Sequence, residues 1–119
     1  QYGLHLDLDA REDLSDLDHH VRMLLFQSIR ELLFNVVKHA GVLEAKVTLD
    51  EIDGRGRITV SDDGRGFDAK STMEDVKVAH GLLVVQDRLS LLGCDMIVNS
   101  TPGTGTHVVI DVPKERKDI

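Results

Sequence analysis

Four side chains that could bind phosphate or a metal ion, or move a proton, lie close together in one stretch of this chain. They are a carboxylate (Glu31), an amide (Asn35), an ammonium (Lys38) and an imidazole (His39). At roughly 100° per residue of an α-helix, the four fall within an arc of about 100° on one side of a helical wheel. A surface helix with a merely solvated polar side would share this pattern, so the segments that follow must decide between the two interpretations.

Glycine-rich segments recur after this helix and support a nucleotide site. Asp62-x-Gly64-x-Gly66 follows a strand pattern, where glycine permits close approach or positive φ, and the Asp62 carboxylate could accept a hydrogen bond from adenine. Gly81 is predicted to open a helix, and free amides at helix N-termini suit phosphate. The segment 103–106 places glycine beside a threonine hydroxyl at a strand start. Each signal alone is weak, but together they occur in the order expected of a nucleotide site.

These segments resemble a known family. Residues 31–40, 62–67, 80–83 and 103–106 are similar to the N box and the successive glycine boxes of the histidine-kinase ATP-binding domain. The same GHKL superfamily includes gyrase, the ninety-kilodalton heat-shock chaperone and the mismatch-repair ATPases. The Lys-His-Ala ending of the first segment, the short lid and the Leu-Leu…Asp-Arg-Leu helix that contains Arg88 resemble the nitrate-sensor-like branch of two-component sensor kinases. The resemblance extends from about Leu4 to Val112.

The resemblance implies roles for the helix residues around Mg-ATP. Asn35 would supply its amide oxygen to Mg²⁺, a hard cation that also keeps phosphate oxygens and waters in its shell. Glu31 would be the acid–base or water-orienting carboxylate beside the γ-phosphate. Lys38 and His39 would face the phosphates.

The resemblance also implies which residues bind the base and which residues of the lid segment, 80–83, bind the nucleotide. Asp62 would recognise the adenine amino group, Gly64 and Gly66 would let the backbone approach the base, and Thr106 would support the same contact. The remaining nucleotide-binding positions implied by the resemblance are those of the lid box, Gly81 and Leu82.

Two positions depart from the family pattern. Ala79 stands where the lid box usually begins with glycine, and Val84 stands where this branch often has glycine. Alanine narrows the backbone conformations available to the lid. Lid closure and phosphate affinity are therefore the properties that these substitutions put in question.

The elements that must position these residues follow from hydrophobic periodicity. The first helix carries an apolar stripe (Val21, Leu25, Ile29, Leu32, Val36, Ala40), begins near a capping arrangement of Ser15 with Asp18, and runs to about Ala40. A second helix is predicted at 81–92, ended by Gly93, after a loop at 68–79. Strands are predicted at 3–9, 44–52, 57–61, 95–100 and 106–112.

This order predicts an α/β domain, an α+β two-layer sandwich with a mixed, mostly antiparallel sheet of about five strands and helices on one face. The resemblance names it the Bergerat-type fold of the superfamily. With 119 residues the chain is predicted to be one domain, 1–119, with 113–119 a frayed tail. Because it starts at Gln1 without methionine, we expect it to be excised from a longer protein.

Composition narrows the class of protein. The net charge of −7 argues against a nucleic-acid surface, and no apolar run reaches the roughly 18 residues of a membrane-spanning helix. A single cysteine, Cys94, cannot form an internal disulfide and suggests a structural role in a reducing, cytoplasmic compartment. Membrane attachment of the parent protein stays open.

The resemblance also implies partners. In the family that the chain resembles, the phosphate acceptor is a histidine on a separate dimerising hairpin of the parent kinase. His19 and His20 are not expected to be the acceptor, because they lie within this domain at the start of the first helix. A response regulator would be reached through the full-length kinase, and the isolated domain would be a monomer within a homodimeric parent.

Two alternatives to a histidine kinase share these boxes. One is an anti-sigma-type serine kinase or other GHKL ATPase, which acid stability of the phosphorylated product would reveal. The other is a non-catalytic docking module, against which the intact Glu31, Asn35 and Asp62 argue.

Overall fold

Five strands form a single sheet in this computed structural model, which describes residues 5–10, 17–40, 44–52, 54–68 and 72–113, without the side chains of 39, 40 and 74. The strands are β1 (His5–Ala10), β2 (Glu44–Ile52), β3 (Arg55–Asp62), β4 (Asp95–Thr101) and β5 (Gly105–Pro113). Their order across the sheet is β1-β2-β3-β5-β4. Only the β1–β2 pair is parallel. The prediction of a mixed, mostly antiparallel five-stranded sheet is confirmed.

Two helices, α1 (His19–Asn35) and α2 (Met73–Ser90), pack on one face of this sheet. Strand residues alternate between the two faces, and the set that faces the helices is apolar. The core joins this set to the buried stripes of both helices, with members such as Leu25, Leu32, Val47, Ile58, Val60, Val85, Leu89, Val108 and Ile110. The two-layer arrangement is therefore confirmed. Among the described residues, no helix is long and apolar enough to cross a membrane.

The first helix begins and ends differently from the prediction. Asp18 is its N-cap, accepting a hydrogen bond from the His20 amide (3.0 Å), whereas Ser15 lies outside the described residues. The α-helical pattern stops at Asn35, and Val36–Ala40 forms a π-helical turn. The prediction of one regular helix to Ala40 is wrong in its last turn. Single π-helical turns are rare and frequent at functional sites.

The second helix starts well before the predicted position. Residues 73–79, expected to be loop, are its first two turns, and Gly81 lies in its middle instead of opening it. The Thr72 side chain caps the helix by accepting from the Asp75 amide (3.0 Å). Val78 and Leu82 are both buried and extend the apolar stripe of Val85 and Leu89 toward the N-terminus. Burial of Val78 thus favours a helix in a segment whose sequence shows no strong hydrophobic period.

Gly93 ends the second helix region, as predicted. Its φ of +78° is the left-handed conformation that favours glycine. The Cys94 amide reaches back to the Leu89 carbonyl (3.1 Å) and the Gly93 amide to the Ser90 carbonyl (3.0 Å), the two bonds of a Schellman motif. Burial raises the pKa of the Cys94 thiol to about 11, which keeps the thiol protonated, as a structural cysteine requires.

Strand β1 is more exposed than its alternation predicts. Leu6 and Leu8 pair with buried Ala45 and Val47, so they point to the helix face, yet they are 47% and 56% exposed. The prediction of a half-buried strand from 3 to 9 is correct in type, but its leucines are poorly covered because β1 is the sheet edge. Gly3 and Leu4 lie outside the described residues.

Candidate functional site

The two glycine segments interlock at one end of the sheet. A Cβ on Gly66 (φ +64°) would overlap the carbonyl oxygen of Thr101, and one on Gly105 (φ +86°) would overlap that of Asp62. The Gly103 amide donates to the Arg65 carbonyl (2.7 Å). These glycines therefore permit backbone to pack on backbone between the loop after β3 and the turn between β4 and β5.

Ser100 connects the same two segments through its hydroxyl. Its Oγ accepts from the Phe67 amide (2.9 Å), lies 2.8 Å from Thr106 Oγ1 and reaches the Gly105 carbonyl (3.1 Å). Sequence analysis missed this residue, because a serine near a strand end carries no motif signal. It fixes the Thr106 hydroxyl, one of the predicted site residues, against the loop that begins at Asp62.

Asp62 is the buried acidic side chain of this region, with 7% of its surface exposed. Its Oδ1 accepts from the Gly64 amide (2.8 Å). Burial raises the pKa of Asp62 above its ordinary value, and the hydrogen bonds from the Gly64 and Thr106 amides oppose that rise. A carboxylate held in an apolar setting by backbone amides is pre-organised to accept a hydrogen bond from a ligand.

A cavity lies between this region, α1 and the first half of α2. Five predicted site residues line it: Asn35, Asp62, Gly66, Leu82 and Thr106. The other lining residues are Leu32, Val36, Val60, Arg65, Phe67, Asp75, Val78 and Val108. The structure therefore brings together residues from α1, β3, α2 and β5 that are far apart in sequence.

Some predicted residues do not line this cavity. Among the described side chains, Glu31, Lys38 and Gly64 lie outside its lining, as does Gly81 on the exposed side of α2. The side chain of His39 lies outside the described part of the chain. Of the three polar residues of the first helix whose side chains the structure describes, Asn35 lines the cavity and Glu31 and Lys38 do not.

The free space in the cavity is about 40 Å³. A cavity of about 150 Å³ is needed for one benzene ring, and a purine is larger than benzene. Asp75, Val78 and Leu82 close the cavity from the side of α2. The first half of α2 thus stands over the cavity, and the free space beneath it is smaller than a purine.

Lys38 and Phe34 contact each other at the end of the first helix. The Lys38 ammonium lies 4.9 Å from the centre of the Phe34 ring, within the range of a cation–π interaction. Both side chains are exposed. Lys38 is therefore held on the helix surface, beside the π-helical turn that begins directly after Asn35.

Glu31 makes an ion pair with Arg88 of α2. Arg88 Nη1 and Glu31 Oε1 are 2.9 Å apart, and the two side chains are 30% and 40% exposed. The carboxylate thus faces the second half of α2. Nothing in the sequence signals this pair, because the two residues are 57 positions apart.

Acidic and histidine side chains do not form a metal centre by themselves. In the described part of the chain, no group of three or more His, Cys, Asp or Glu residues could hold an ion. Asn35 offers one amide oxygen at the cavity wall. A hard cation at this position would fit only if a ligand supplied most of its oxygen atoms, as phosphates do for Mg²⁺.

The chain matches a family model along most of its length. The model describes the histidine kinase-, DNA gyrase B-, and HSP90-like ATPases and covers residues 20–116. The chain therefore belongs to this ATPase family, and the predicted resemblance is confirmed. Family membership implies ATP as the nucleotide.

Relatives with curated names are sensor kinases. The chain is 33% identical over 107 residues to the sensor histidine kinase NarS of Mycobacterium tuberculosis, covering 86% of this chain and 25% of NarS. It is 28% identical over 116 residues to the nitrate/nitrite sensor protein NarX of Escherichia coli, covering 98% and 19%. With DegS of Brevibacillus brevis, a signal transduction histidine-protein kinase/phosphatase, it shares 29% over 94 residues, covering 79% and 24%. The chain thus spans a quarter or less of the length of these three relatives.

Solved structures share the fold. The blue-light activated histidine kinase EL346 of Erythrobacter litoralis superposes with a TM-score of 0.71 at 23% identity, covering 98% of this chain and 37% of that one. Full-length ShkA, solved in complex with AMPPNP, gives 0.69 at 21% identity and covers 94% and 26%. The Bergerat-type fold of this ATPase superfamily is thereby confirmed.

Proposed function

We propose that this chain is the catalytic ATP-binding domain of a sensor histidine kinase in a two-component system. Its reaction is transfer of the γ-phosphate of Mg-ATP to a histidine on a separate phosphoacceptor domain of the same parent protein. The observation that carries the proposal is that Asn35 of α1, Asp62 of β3 and Thr106 of β5 line one cavity. The histidine kinase names of NarS and DegS support it.

The buried end of the site is proposed to recognise the base. Asp62 would accept a hydrogen bond from the adenine amino group, and the Thr106 hydroxyl, held by Ser100, would support that contact. Gly64 and Gly66 shape the loop that approaches the base. Phe67 also lines the cavity and offers an apolar ring to it.

The open end is proposed to hold the phosphates. Asn35 would contribute its amide oxygen to Mg²⁺, which neutralises phosphate charge when bound. Lys38 and His39 would face the phosphates, together with the amides around Gly81 and Leu82 once the first half of α2 has moved. Arg65 lines the cavity and is a further cation available to phosphate.

A titration tests the role of Asn35. Asn35→Ala should weaken binding of Mg-ATP far more than binding of ATP in EDTA, because only the metal-bound form uses the amide. Isothermal titration calorimetry under both conditions, with wild type as reference, measures the difference. Equal losses under both conditions would remove Asn35 from the metal shell.

Glu31 is the proposed acid–base or water-orienting carboxylate of the transfer. Phosphoryl transfer depends mainly on positioning and charge stabilisation. Glu31→Gln should therefore leave ATP affinity nearly unchanged and slow transfer on the order of 10²-fold. The assay adds the phosphoacceptor domain of the parent kinase and follows labelled phosphate onto histidine in a single turnover. Unchanged transfer would reduce Glu31 to a structural carboxylate.

The chemical linkage of the product distinguishes the proposal from an anti-sigma-type serine kinase. Phosphohistidine is acid-labile, whereas phosphoserine is acid-stable. Label that survives acid treatment would overturn the histidine assignment.

The wider assignments belong to the same proposal. The domain comprises residues 1–119, acts in the cytoplasm and is monomeric in isolation, whereas the parent kinase is a homodimer. A response regulator then receives the phosphate from the full-length kinase. Sedimentation of the isolated chain tests its monomeric state.

A further inference from the structure

The ion pair between Glu31 and Arg88 joins the two helices at the side of the cavity. It is partly buried and 2.9 Å long, so solvent and salt screen it less than a fully exposed pair. The contact runs from one guanidinium nitrogen to one carboxylate oxygen, Oε1. Such an end-on contact restrains the carboxylate while leaving its second oxygen, Oε2, for another group.

Arg88 stands on the part of α2 that is firmly anchored. The neighbouring Val85 and Leu89 are 1% and 0% exposed, whereas the first half of the helix lies over the cavity. Displacement of that first half by a nucleotide would leave Arg88 in place. A side chain on a rigid element is suited to orient a reacting group.

We propose that Arg88 is a positioning residue that holds the Glu31 carboxylate in the orientation needed for phosphoryl transfer. Glutamate is a long side chain that loses rotamer freedom when it is fixed, and Arg88 fixes it before the substrate arrives. Glu31 lies one helical turn before Asn35 on α1, and Asn35 lines the cavity although Glu31 itself does not. This inference rests on the proposed function, because it gives Arg88 a purpose only if Glu31 takes part in transfer.

The test measures single-turnover transfer to the added phosphoacceptor domain, with ATP affinity and thermal stability measured in parallel. Arg88→Met removes the charge but keeps the length of the side chain, and it should slow transfer about tenfold, since small misplacements of reacting groups carry penalties of this order. ATP affinity should stay within about twofold of wild type, because Arg88 is outside the cavity lining. Arg88→Lys, which keeps the charge without the guanidinium geometry, should recover most of the rate.

A double mutant separates positioning from a structural role. In a Glu31→Gln background, Arg88→Met should cause no further slowing, because Arg88 acts through the carboxylate. The control is Arg57→Met, which breaks the 2.9 Å pair with Asp111 between β3 and β5 and should leave the transfer rate unchanged.

The outcomes are distinguishable. Equal slowing by Arg88→Met in both backgrounds would overturn the positioning role, as would wild-type rates in Arg88→Met. If wild type binds ATP but leaves histidine unlabelled, the proposed function fails, and this inference with it. If wild type labels histidine and Arg88→Met matches it, only the inference fails.

Discussion

Gly66 and Thr101 are packed so closely that a Cβ on the glycine would overlap the threonine carbonyl oxygen. Gly105 stands in the same relation to Asp62 on the opposite side of the junction. The two glycine segments are thus one interlocked unit, and the backbone of Asp62, whose carboxylate we propose recognises the base, is part of it. Glycine at these two positions is therefore required by the packing of the domain's own backbone.

Gly66→Ala should therefore destabilise the domain by about 3 kcal/mol, since steric overlap with rigid backbone adds to the strain of positive φ. Chemical denaturation measures the change. Gly103→Ala is the matched control: Gly103 also has positive φ (+88°), but nothing lies near its Cβ position. That control should lose only about 1 kcal/mol. Equal losses at both positions would show that close packing at Gly66 is not what makes glycine necessary.

Asp62→Asn should separate stability from binding. Burial raises the pKa of Asp62 in the folded state, so the protonated carboxyl group favours folding relative to the charged one. This stabilisation is fully present at pH values below the pKa of the unfolded state and is lost as pH rises through the pKa of the folded state. At pH 7 the variant should therefore melt at a higher temperature than wild type, with the difference shrinking toward pH 4. Its ATP affinity should fall about tenfold to a hundredfold through loss of a charge-assisted hydrogen bond.

Melting curves at several pH values and calorimetric ATP titrations check both parts of this expectation. A variant that binds ATP as wild type does would remove Asp62 from adenine recognition. A variant less stable than wild type at pH 7 would show that the Gly64 and Thr106 hydrogen bonds outweigh desolvation.

Strand boundaries were predictable where one face is buried and the other solvated. β2 was predicted as 44–52 and is found as Glu44–Ile52, because Ala45, Val47 and Leu49 alternate cleanly with polar residues. The start of α2 was missed, since the segment 68–79 shows no strong hydrophobic period. Its helical state depends on burial of Val78 against other elements, which local sequence does not reveal.

The site was predictable in its motifs but not in its contacts. Asn35, Asp62 and Thr106 were identified from residue type and glycine spacing, and they line one cavity. Ser100 was not identified, and Arg88 was noted only as part of a helix motif, because the partners of both residues lie in other segments of the chain. A motif can be recognised from residue types at a fixed local spacing, whereas a contact between residues far apart in sequence leaves no such pattern.

Gly81 lies in the middle of α2, where it affects the stability of the first half of the helix. Glycine costs a helix interior about 1 kcal/mol relative to alanine, and Gly81 is exposed with open space around its Cβ position. Gly81→Ala should stabilise α2 and raise the melting temperature. If nucleotide must displace the first half of α2, the same substitution should weaken ATP binding up to about fivefold.

Ala79→Gly is the opposite change in the same helix, and it introduces the glycine that the family resemblance leads one to expect at this position. It should lower helix stability by about 1 kcal/mol and strengthen ATP binding. Hydrogen exchange of residues 73–81 with and without ATP reports the opening directly. Identical ATP affinity in both variants would mean that α2 stays intact when nucleotide binds.

Ser100→Ala should loosen the contact between the two glycine segments. The variant leaves the Phe67 amide and the Thr106 hydroxyl without the oxygen that joins them. Losing these bonds in a partly buried setting should cost about 1–3 kcal/mol of stability. Because Thr106 is proposed to support adenine recognition, the variant should also bind ATP more weakly and discriminate less between ATP and GTP.

Ser100→Thr keeps the hydroxyl and should retain the discrimination between ATP and GTP. Competition binding of both nucleotides to the two variants therefore separates positioning of the hydroxyl from packing. If Ser100→Ala lost stability but kept its full preference for ATP, Ser100 would hold the fold of the junction without orienting Thr106 toward the base.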